Sequence, residues 1–372
     1  MLAYPKTDAI IPYQPIIMKV KIIVEAGLTG NPFNGHFNYC KSLSQALGRL
    51  FSKKYSFYFL RMNHNHVFKV DSPINLISYR WYTYLYRHLF KFQIWHITYQ
   101  LTDLLPLQKD SKIVLTIHDL NFLKEKTAAD IAKDLAILQY NIDISTKIVA
   151  ISHYVKTDIE RYCDLNGKSV KVIHNGCSID PEIINQLDQD KYFTKGNYIF
   201  SIGVIARKKN FHILPYLLLG NNLHLVISGF IQDETYHSQI LRIAEQLGVS
   251  DRVQLTGPVT ELDKYRLYRD CSLFAFPSYA EGFGLPVVEA MRFGKKTLLS
   301  KHCSLPEIGG DFAYYLESDD AEYLKNFALE ELPALLNRPT DEQAITAWSQ
   351  QFNWDKAASE YEEVYQQTIQ DS

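Results

Sequence analysis

The sequence predicts an α/β protein built as two doubly wound domains in series, facing each other across a cleft. Three observations carry this expectation. Short, fully apolar runs alternate with longer amphipathic stretches, the rhythm of a parallel sheet covered by helices. The rhythm breaks once, over a polar segment, and then restarts. At 372 residues the chain also exceeds one ordinary core, so two domains of roughly 150–200 residues are the default.

In order along the chain, residues 1–17 carry three prolines and no clean period, and read as an N-terminal extension. "KVKIIVE" (19–25) reads as a buried strand, followed by a Gly/Asn/Pro loop and a helix near 36–50. "SFYFLR" (56–61), "IWHIT" (94–98), "KIVLTI" (112–117), "KIVAIS" (147–152) and "VKVIHNG" (170–176) read as further strands, with a helix over 128–144. Residues 18–177 are thus one Rossmann-like domain. The polar stretch "SIDPEIINQLDQDKYFTKG" (178–196) has no sustained period and reads as a linker. Strands restart at "NYIFSIG" (197–203), "LHLVISG" (223–229), "RVQLTG" (252–257), "SLFAFP" (272–277) and "KTLLS" (296–300). Helices fit at 209–219, 235–248, 260–270, 286–294 and 320–336, so 197–351 form a second Rossmann-like domain. Ligands of such sheets sit beyond the carboxyl ends of the strands.

Composition narrows the function. With 47% hydrophobic and 22% charged residues and a formal charge of −2, bulk charge gives no hold on nucleic acid. The five cysteines are scattered, odd in number and form no CxxC pair, which argues against a zinc site or a disulfide framework. Free thiols suit a reducing cytosol. No apolar run reaches the ~18–20 residues that span a bilayer, and the N-terminus lacks the charged start of a signal peptide. A cytoplasmic protein is expected. Asp188-Gln189-Asp190 forms a DxD string, but no strand precedes it and it reads as chance.

The chemistry concentrates in four stretches. In "SYAEGFGLPVVEAM" (278–291) a strand ends at Phe276-Pro277, and Gly282 and Gly284 permit a tight turn and close approach of a ligand. Pro286 suits the first turn of a helix starting near Leu285. The free amides there, from Phe283, Gly284 and Leu285, favour a phosphate. Glu289, one turn inside, can accept from two ribose hydroxyls, and Glu281 stands just before the turn. The competing reading is a capped helix with one exposed glutamate. In "SIGVIARKKNFHIL" (201–214) a strand ends at Gly203, and Arg207, Lys208 and Lys209 sit on the next turn, where they can neutralise a diphosphate; alone, this could be a solvated basic loop. In "KIVLTIHDLNF" (112–122) His118 and Asp119 follow a buried strand and should face the cleft, to bind sugar hydroxyls or orient a reacting group, unless His118 is a satisfied core histidine. In "EAGLTGNPFNGHFNY" (25–39) Gly27, Gly30 and Gly35 lack the GxGxxG spacing, so a hydride-transfer site is weakly supported; Gly30, Asn34, Gly35 and His36 fit an acceptor-side loop instead.

Together these pieces resemble the family 4 glycosyltransferases, retaining enzymes of the GT-B fold, from about residue 20 onward. Glu281 and Glu289 match that family's E-x7-E element, and Lys209-Asn210 its lysine after the first strand of the second domain, with "KKN" in place of the frequent "RKN". "TIHDLNFL", "VAISHYVKTDI" and "KVIHNG" match its first-domain motifs. "FNW" (352–354) resembles the signal before a last helix, 352–372, that crosses back to the first domain. Gly35-His36 stands where many members have Gly-Gly. The resemblance implies a nucleotide-diphosphate sugar (GDP-mannose or a UDP-hexose) on the second domain. Glu289 would hold the ribose, and Arg207, Lys208 and Lys209 the diphosphate. Glu281 would read the sugar and His118 would reach it from the opposite domain, with the base near Gly257–Val259. Front-face attack by the acceptor would retain configuration without a metal, a cofactor or a glutamate nucleophile. The implied role is hexosyl transfer to a glycan or lipid-linked glycan in polysaccharide or lipopolysaccharide assembly. A nucleotide-sugar epimerase or hydrolase of the same fold, or a non-catalytic glycan-binding relative, are the alternatives.

Residues 49–93 carry eight Lys and Arg against one acid, Asp71. If 79–92 is helical, Arg80, Tyr84, Arg87 and Lys91 share one face, while Tyr82, Leu85, Tyr86, Leu89 and Phe92 share the other. Two readings stand: a core-packed helix with a solvated basic stripe, or a contact with anionic membrane that presents a lipid-linked acceptor.

Overall fold

The computed structural model describes residues 19–26, 35–61, 73–78, 91–106, 108, 110–187 and 190–371. It contains two parallel sheets. The first has seven strands: β1 (Val20–Ala26), β2 (Tyr55–Arg61), β3 (Asn75–Ser78), β4 (Ile94–Ile97), β5 (Lys112–Ile117), β6 (Lys147–Ala150) and β7 (Val170–Val172). The second has six: β8 (Tyr198–Ile202), β9 (His224–Ser228), β10 (Val253–Gly257), β11 (Leu273–Phe276), β12 (Thr297–Ser300) and β13 (Tyr314–Leu316). Their orders are β3-β2-β1-β4-β5-β6-β7 and β10-β9-β8-β11-β12-β13. Each order reverses once, at β1/β4 and at β8/β11, and leaves a crevice at the carboxyl ends there. Central strands such as β4 and β11 are buried at every position, because helices cover both faces.

The helix Trp354–Gln370 follows the second sheet in sequence but belongs to the first core. Its Trp354, Ala357, Tyr361 and Tyr365 pack with Ile22, Tyr39, Phe57 and Ile94. Tyr361 OH lies 2.7 Å from Tyr39 OH, Tyr365 OH lies 2.8 Å from His96 Nδ1, and Glu362 pairs with Lys54 at 2.5 Å. Asn353 caps the helix by accepting from Lys356 N. The chain crosses between domains twice at one place, since Cys177 N donates to Phe352 O at 3.0 Å. A Cβ on Gly176 would run into Trp354.

Several elements differ from the expected ones. The helix expected over 209–219 is two 3-10 segments, Arg207–Lys209 and Phe211–Leu218, separated by Asn210 in the left-handed conformation (φ 55°). Pro215 sits inside the second segment and denies it a regular α ladder. The helix expected over 320–336 is interrupted by a π-segment, Phe327–Glu331, before Leu332–Asn337, whose first turn holds Pro333. Strand β7 stops at Val172, short of the expected 176. The linker contains a short helix, Pro181–Ile184, and a buried Phe193 packed on Tyr198. Strands β3 and β13 were not anticipated; four and three residues are too short to show a period. Of the stretch 79–92, residues 79–90 lie outside the described residues, as do 1–17, Gly30, Asn34 and most of the DxD string. Phe92 is buried. Among the described residues, no helix is long and apolar enough to cross a membrane.

Candidate active site

The site is built where the chain leaves β11. Ser278 is fully buried, and its Oγ lies 2.7 Å from Glu281 Oε1 and 3.0 Å from Lys208 O. Tyr279 N donates to Lys208 O at 2.8 Å. These bonds fasten the Arg207–Lys209 turn, which follows β8, to the loop that follows β11. Lys209 is 9% exposed; its Nζ pairs with Glu281 Oε1 at 2.5 Å and stands 4.8 Å from the centroid of the Phe276 ring. A lysine and a glutamate so enclosed form a preorganised charge pair rather than a surface ion pair.

Gly284 adopts φ 105°, a conformation that favours glycine, and a Cβ there would press on Leu305 Cδ2 at 3.0 Å. It begins the helix Leu285–Arg292 without a side-chain cap. Ser304 Oγ lies 2.8 Å from Phe283 O and 3.1 Å from Glu281 O, fixing the turn from below. Glu289, on this helix, is 8% exposed. Its Oε1 accepts from Lys264 Nζ and its Oε2 from Tyr268 OH, both at 2.9 Å. Burial lowers the Lys264 pKa, but the Glu289 and Glu261 carboxylates outweigh it and hold the ammonium firmly charged. Lys264 and Tyr268 were not anticipated, because nothing in the helix Glu261–Asp270 sets them apart in sequence.

The three cations of the turn after β8 each meet a different carboxylate. Lys209 engages Glu281, Lys208 Nζ reaches Glu125 of the first domain at 3.1 Å, and exposed Arg207 lies 3.5 Å from Asp233. Each turns to its nearest carboxylate. At the neighbouring strand ends three glycines meet. Gly203 N donates to Ser228 O and Gly229 N to Gly257 O, and all three glycines have positive φ. A Cβ on Gly229 would collide with the Gly203 carbonyl, so this rim is bare backbone. Val259 is half-buried beside it. Gly229, a strand-end glycine in "LHLVISG", completes the rim and was missed.

From the opposite domain, His118 and Asp119 meet this loop. The His118 carbonyl abuts Gly282 so closely that a Cβ on Gly282 would collide with it. His118 Nε2 is buried with no hydrogen-bond partner. Burial first, then neighbouring His36, hold its pKa well below the ordinary value, so the ring is neutral. Gln100, also unanticipated, clamps the pair: its Oε1 accepts from His118 N and its Nε2 donates to Asp119 O. The Asp119 carboxylate accepts from Asn121 N at 2.9 Å, a local turn cap, so it orders this turn. Burial raises its pKa.

Of the expected acceptor-side loop, Gly35 and His36 are described, and both stand in the first turn of a helix. Gly35 opens the helix Gly35–Phe51, and a Cβ there meets nothing within 4 Å. His36 lies on that helix's inner face, buried, with Nε2 3.0 Å from Thr98 O and its ring 5.2 Å from that of His118. Burial lowers its pKa to about 4. It packs beneath His118 rather than on an open loop.

Beyond Gly282, the domains are joined by Ser152 Oγ donating to Gly282 O and by Lys124 Nζ donating to Tyr279 O. The Glu307 carboxylate accepts from His153 N and Tyr154 N, at the start of the helix His153–Tyr162, and lies 2.5 Å from His174 Nε2. His153, His174 and Glu307 also have metal-ligand types within 4.8 Å of one another. Glu307 is already engaged by two amides and an imidazole, so this cluster reads as an interdomain clamp.

Two family profiles match the chain in tandem: Glycosyltransferase Family 4 over residues 39–181 and Glycosyl transferases group 1 over 183–331. The serotype-specific mannosyltransferase WbdA of Escherichia coli is 38% identical over 177 residues, 44% of this chain but only 22% of that protein. The chain thus spans about a fifth of that relative's length. The O-antigen chain mannosyltransferase RfbU of Salmonella typhimurium is 24% identical over 69% of this chain and 72% of its own. In structure, Anabaena HepE in complex with UDP and glucose superposes with a TM-score of 0.69 at 16% identity, over 94% of this chain and all of that one. That likeness shows the GT-B fold.

Proposed function

Because this chain belongs to glycosyltransferase family 4, we propose that it moves a hexose, with retention, from a nucleotide-diphosphate sugar to a glycan or lipid-linked glycan. The single observation that carries the reading is the enclosed Lys209–Glu281 pair between the β8 turn and the Gly284 helix start, with the His118–Asp119 turn of the opposite domain packed against Gly282. The relatives named as mannosyltransferases favour a mannosyl donor and O-antigen-type assembly; HepE, seen with UDP and glucose, keeps a UDP-hexose in view.

In this reading the diphosphate lies against the amides of Phe283, Gly284 and Leu285. Lys209 turns from Glu281 to the leaving phosphate, and Lys208 is drawn from Glu125. These cations stabilise the charge that develops as the glycosidic bond breaks, and no metal is required. Glu281 and the neutral His118 hold sugar hydroxyls. The acceptor hydroxyl attacks from the face that the diphosphate leaves, and the departing phosphate oxygen takes its proton. Glu289, held by Lys264 and Tyr268, keeps lone pairs for the ribose diol. The glycine rim admits a base through backbone contacts. Work at the cytoplasmic face of a membrane, with the basic stretch 79–92 as contact, fits a lipid-linked acceptor.

The test is incubation with GDP-mannose and UDP-hexoses and a panel of glycan acceptors. Transfer with α-configuration preserved supports the reading. Donor hydrolysis or epimerisation at an equal rate with and without acceptor, or binding without turnover, rejects it.

A further inference from the structure

Lys208 is bound from the other side of the cleft. Its Nζ lies 3.1 Å from Oε1 and 3.4 Å from Oε2 of Glu125, so the ammonium sits astride a carboxylate as it would astride two oxygens of a phosphate. Glu125 ends the short helix Phe122–Glu125, which follows the His118–Asp119 turn of the first domain. That helix is held in place. Phe122 is buried, and Lys124 Nζ donates to Tyr279 O at 3.2 Å and to Tyr154 OH at 3.0 Å. The Lys208 carbonyl in turn accepts from Ser278 Oγ and Tyr279 N. Burial is the largest influence on Asp119 and raises its pKa; of the nearby charges Lys208 lowers it and Glu125 raises it, so both stand near that carboxyl. The pair differs from Lys209–Glu281. Its side chains are 30% and 36% exposed, against 11% and 14%, so water reaches it and the bond is weak enough to exchange.

We propose that Glu125 is a positioning residue that acts through Lys208: it holds the ammonium at the cleft, competes with the donor's diphosphate for it, and reclaims it as the nucleoside diphosphate leaves. The inference rests on the donor reading, since it needs the diphosphate at the turn after β8. A diphosphate carries more negative charge than one carboxylate and so wins the ammonium, but its binding is weakened by the worth of the Lys208–Glu125 bond that it replaces. The same bond, re-formed, favours departure of the product. Lys209 is not free for this part, because its partner Glu281 belongs to the same domain and is itself held by Ser278. Glu125 comes from the opposite domain, so each exchange also breaks or remakes a bond between the domains. The competing account is a purely structural tie. Loss of Glu125 would then lower stability and leave nucleotide affinity where it was.

The test is calorimetric titration of the full chain with UDP and GDP, for the unaltered protein, Glu125→Gln, Lys208→Met and the double variant. Glu125→Gln should bind the nucleotide about two- to fivefold tighter, the ordinary worth of a partly exposed ion pair. In initial rates, KM for the sugar nucleotide and the inhibition constant of the product diphosphate should fall by the same factor. In the Lys208→Met background the substitution should bring no gain. Uridine and guanosine, which lack phosphate, should gain nothing from Glu125→Gln either; if Lys208→Met binds too weakly to titrate, this comparison decides. Unchanged or weaker nucleotide binding by Glu125→Gln, an equal gain in the Lys208→Met background, or an equal gain for the nucleoside each overturns the inference and leaves the donor reading standing. If neither UDP nor GDP binds the unaltered chain, the donor reading fails and this inference with it.

Discussion

Replacing Lys209 with methionine separates what the Lys209–Glu281 pair does for folding from what it does for transfer. The methionine keeps much of the side-chain volume and its contact with the Phe276 ring, but removes the charge. In the resting protein the Glu281 carboxylate loses its 2.5 Å partner and keeps the Ser278 hydroxyl. Breaking a fully buried pair costs about 3–5 kcal/mol. Here the two side chains are 11% and 14% exposed and Ser278 stays in place, so roughly 1–3 kcal/mol is expected. In the reaction the same change removes a cation from the leaving diphosphate, worth about 2.7–4 kcal/mol, or roughly 10²–10³ in kcat. The double variant Lys209→Met/Glu281→Gln removes the stranded charge. Stability by urea unfolding should then return most of the way, whereas kcat in a radiolabelled-sugar transfer assay should not. A single variant that retains kcat within about threefold would refute the role of Lys209 in stabilising the leaving group. So would a double variant that recovers transfer together with stability.

Three further outcomes follow from the geometry. Gly282→Ala places a methyl group against the His118 carbonyl and should hold the domains apart; kcat should fall by at least about tenfold while Tm changes by only a few degrees, and an unchanged kcat counts against close apposition at this point. Glu289→Gln keeps the shape but weakens acceptance from the ribose hydroxyls, so nucleotide affinity should drop by about 1–3 kcal/mol, read from the thermal shift on adding UDP or GDP; an intact shift removes Glu289 from the ribose. Burial lowers the pKa of His36 to about 4 and of His96 to about 3, from 6.5. Both histidines stay neutral in the folded chain while the unfolded chain takes up protons below pH 6.5. Stability is therefore full above that pH and is lost as pH falls toward 4, by roughly 2 kcal/mol per histidine at pH 5. Urea midpoints that are flat from pH 7 to pH 5 would contradict their burial in neutral form.

The sheets were legible because strands buried on both faces are continuous apolar runs, as in "KIVLTI" and "SLFAFP", and need no alternation to be seen. The glycine turn and helix start at 282–286 were legible because glycine and proline act through their own backbone. What escaped depends on partners remote in sequence. Lys264 and Tyr268 matter only because their helix lies against Glu289, and Gln100 only because β4 ends beside β5. Glu307 sits in an ordinary "LPEIGG" segment, yet holds the amides of a helix in the other domain. The "ARKKN" turn was legible as a run of cations, but Asp233, Glu125 and Glu281, the carboxylates they meet, lie far from it in sequence and gave no signal. A helix from about His36 was legible, but not that its first turn points the His36 ring inward, toward Thr98 and His118.

The helix Trp354–Gln370 gives the molecule an inverted order of assembly. During synthesis the first domain emerges early and can pair His96 Nε2 with Thr116 Oγ1, yet the bonds of Tyr39 OH, His96 Nδ1 and Thr116 Oγ1 to the last helix form only when Tyr361 and Tyr365 have been made. Until then these polar groups and the surrounding apolar surface stay open, for many seconds at ordinary rates of translation. The half made first is thus the half completed last. A chain ending at residue 350 and released from the ribosome should show a protease-sensitive first domain beside a second domain that has all of its strands β8–β13.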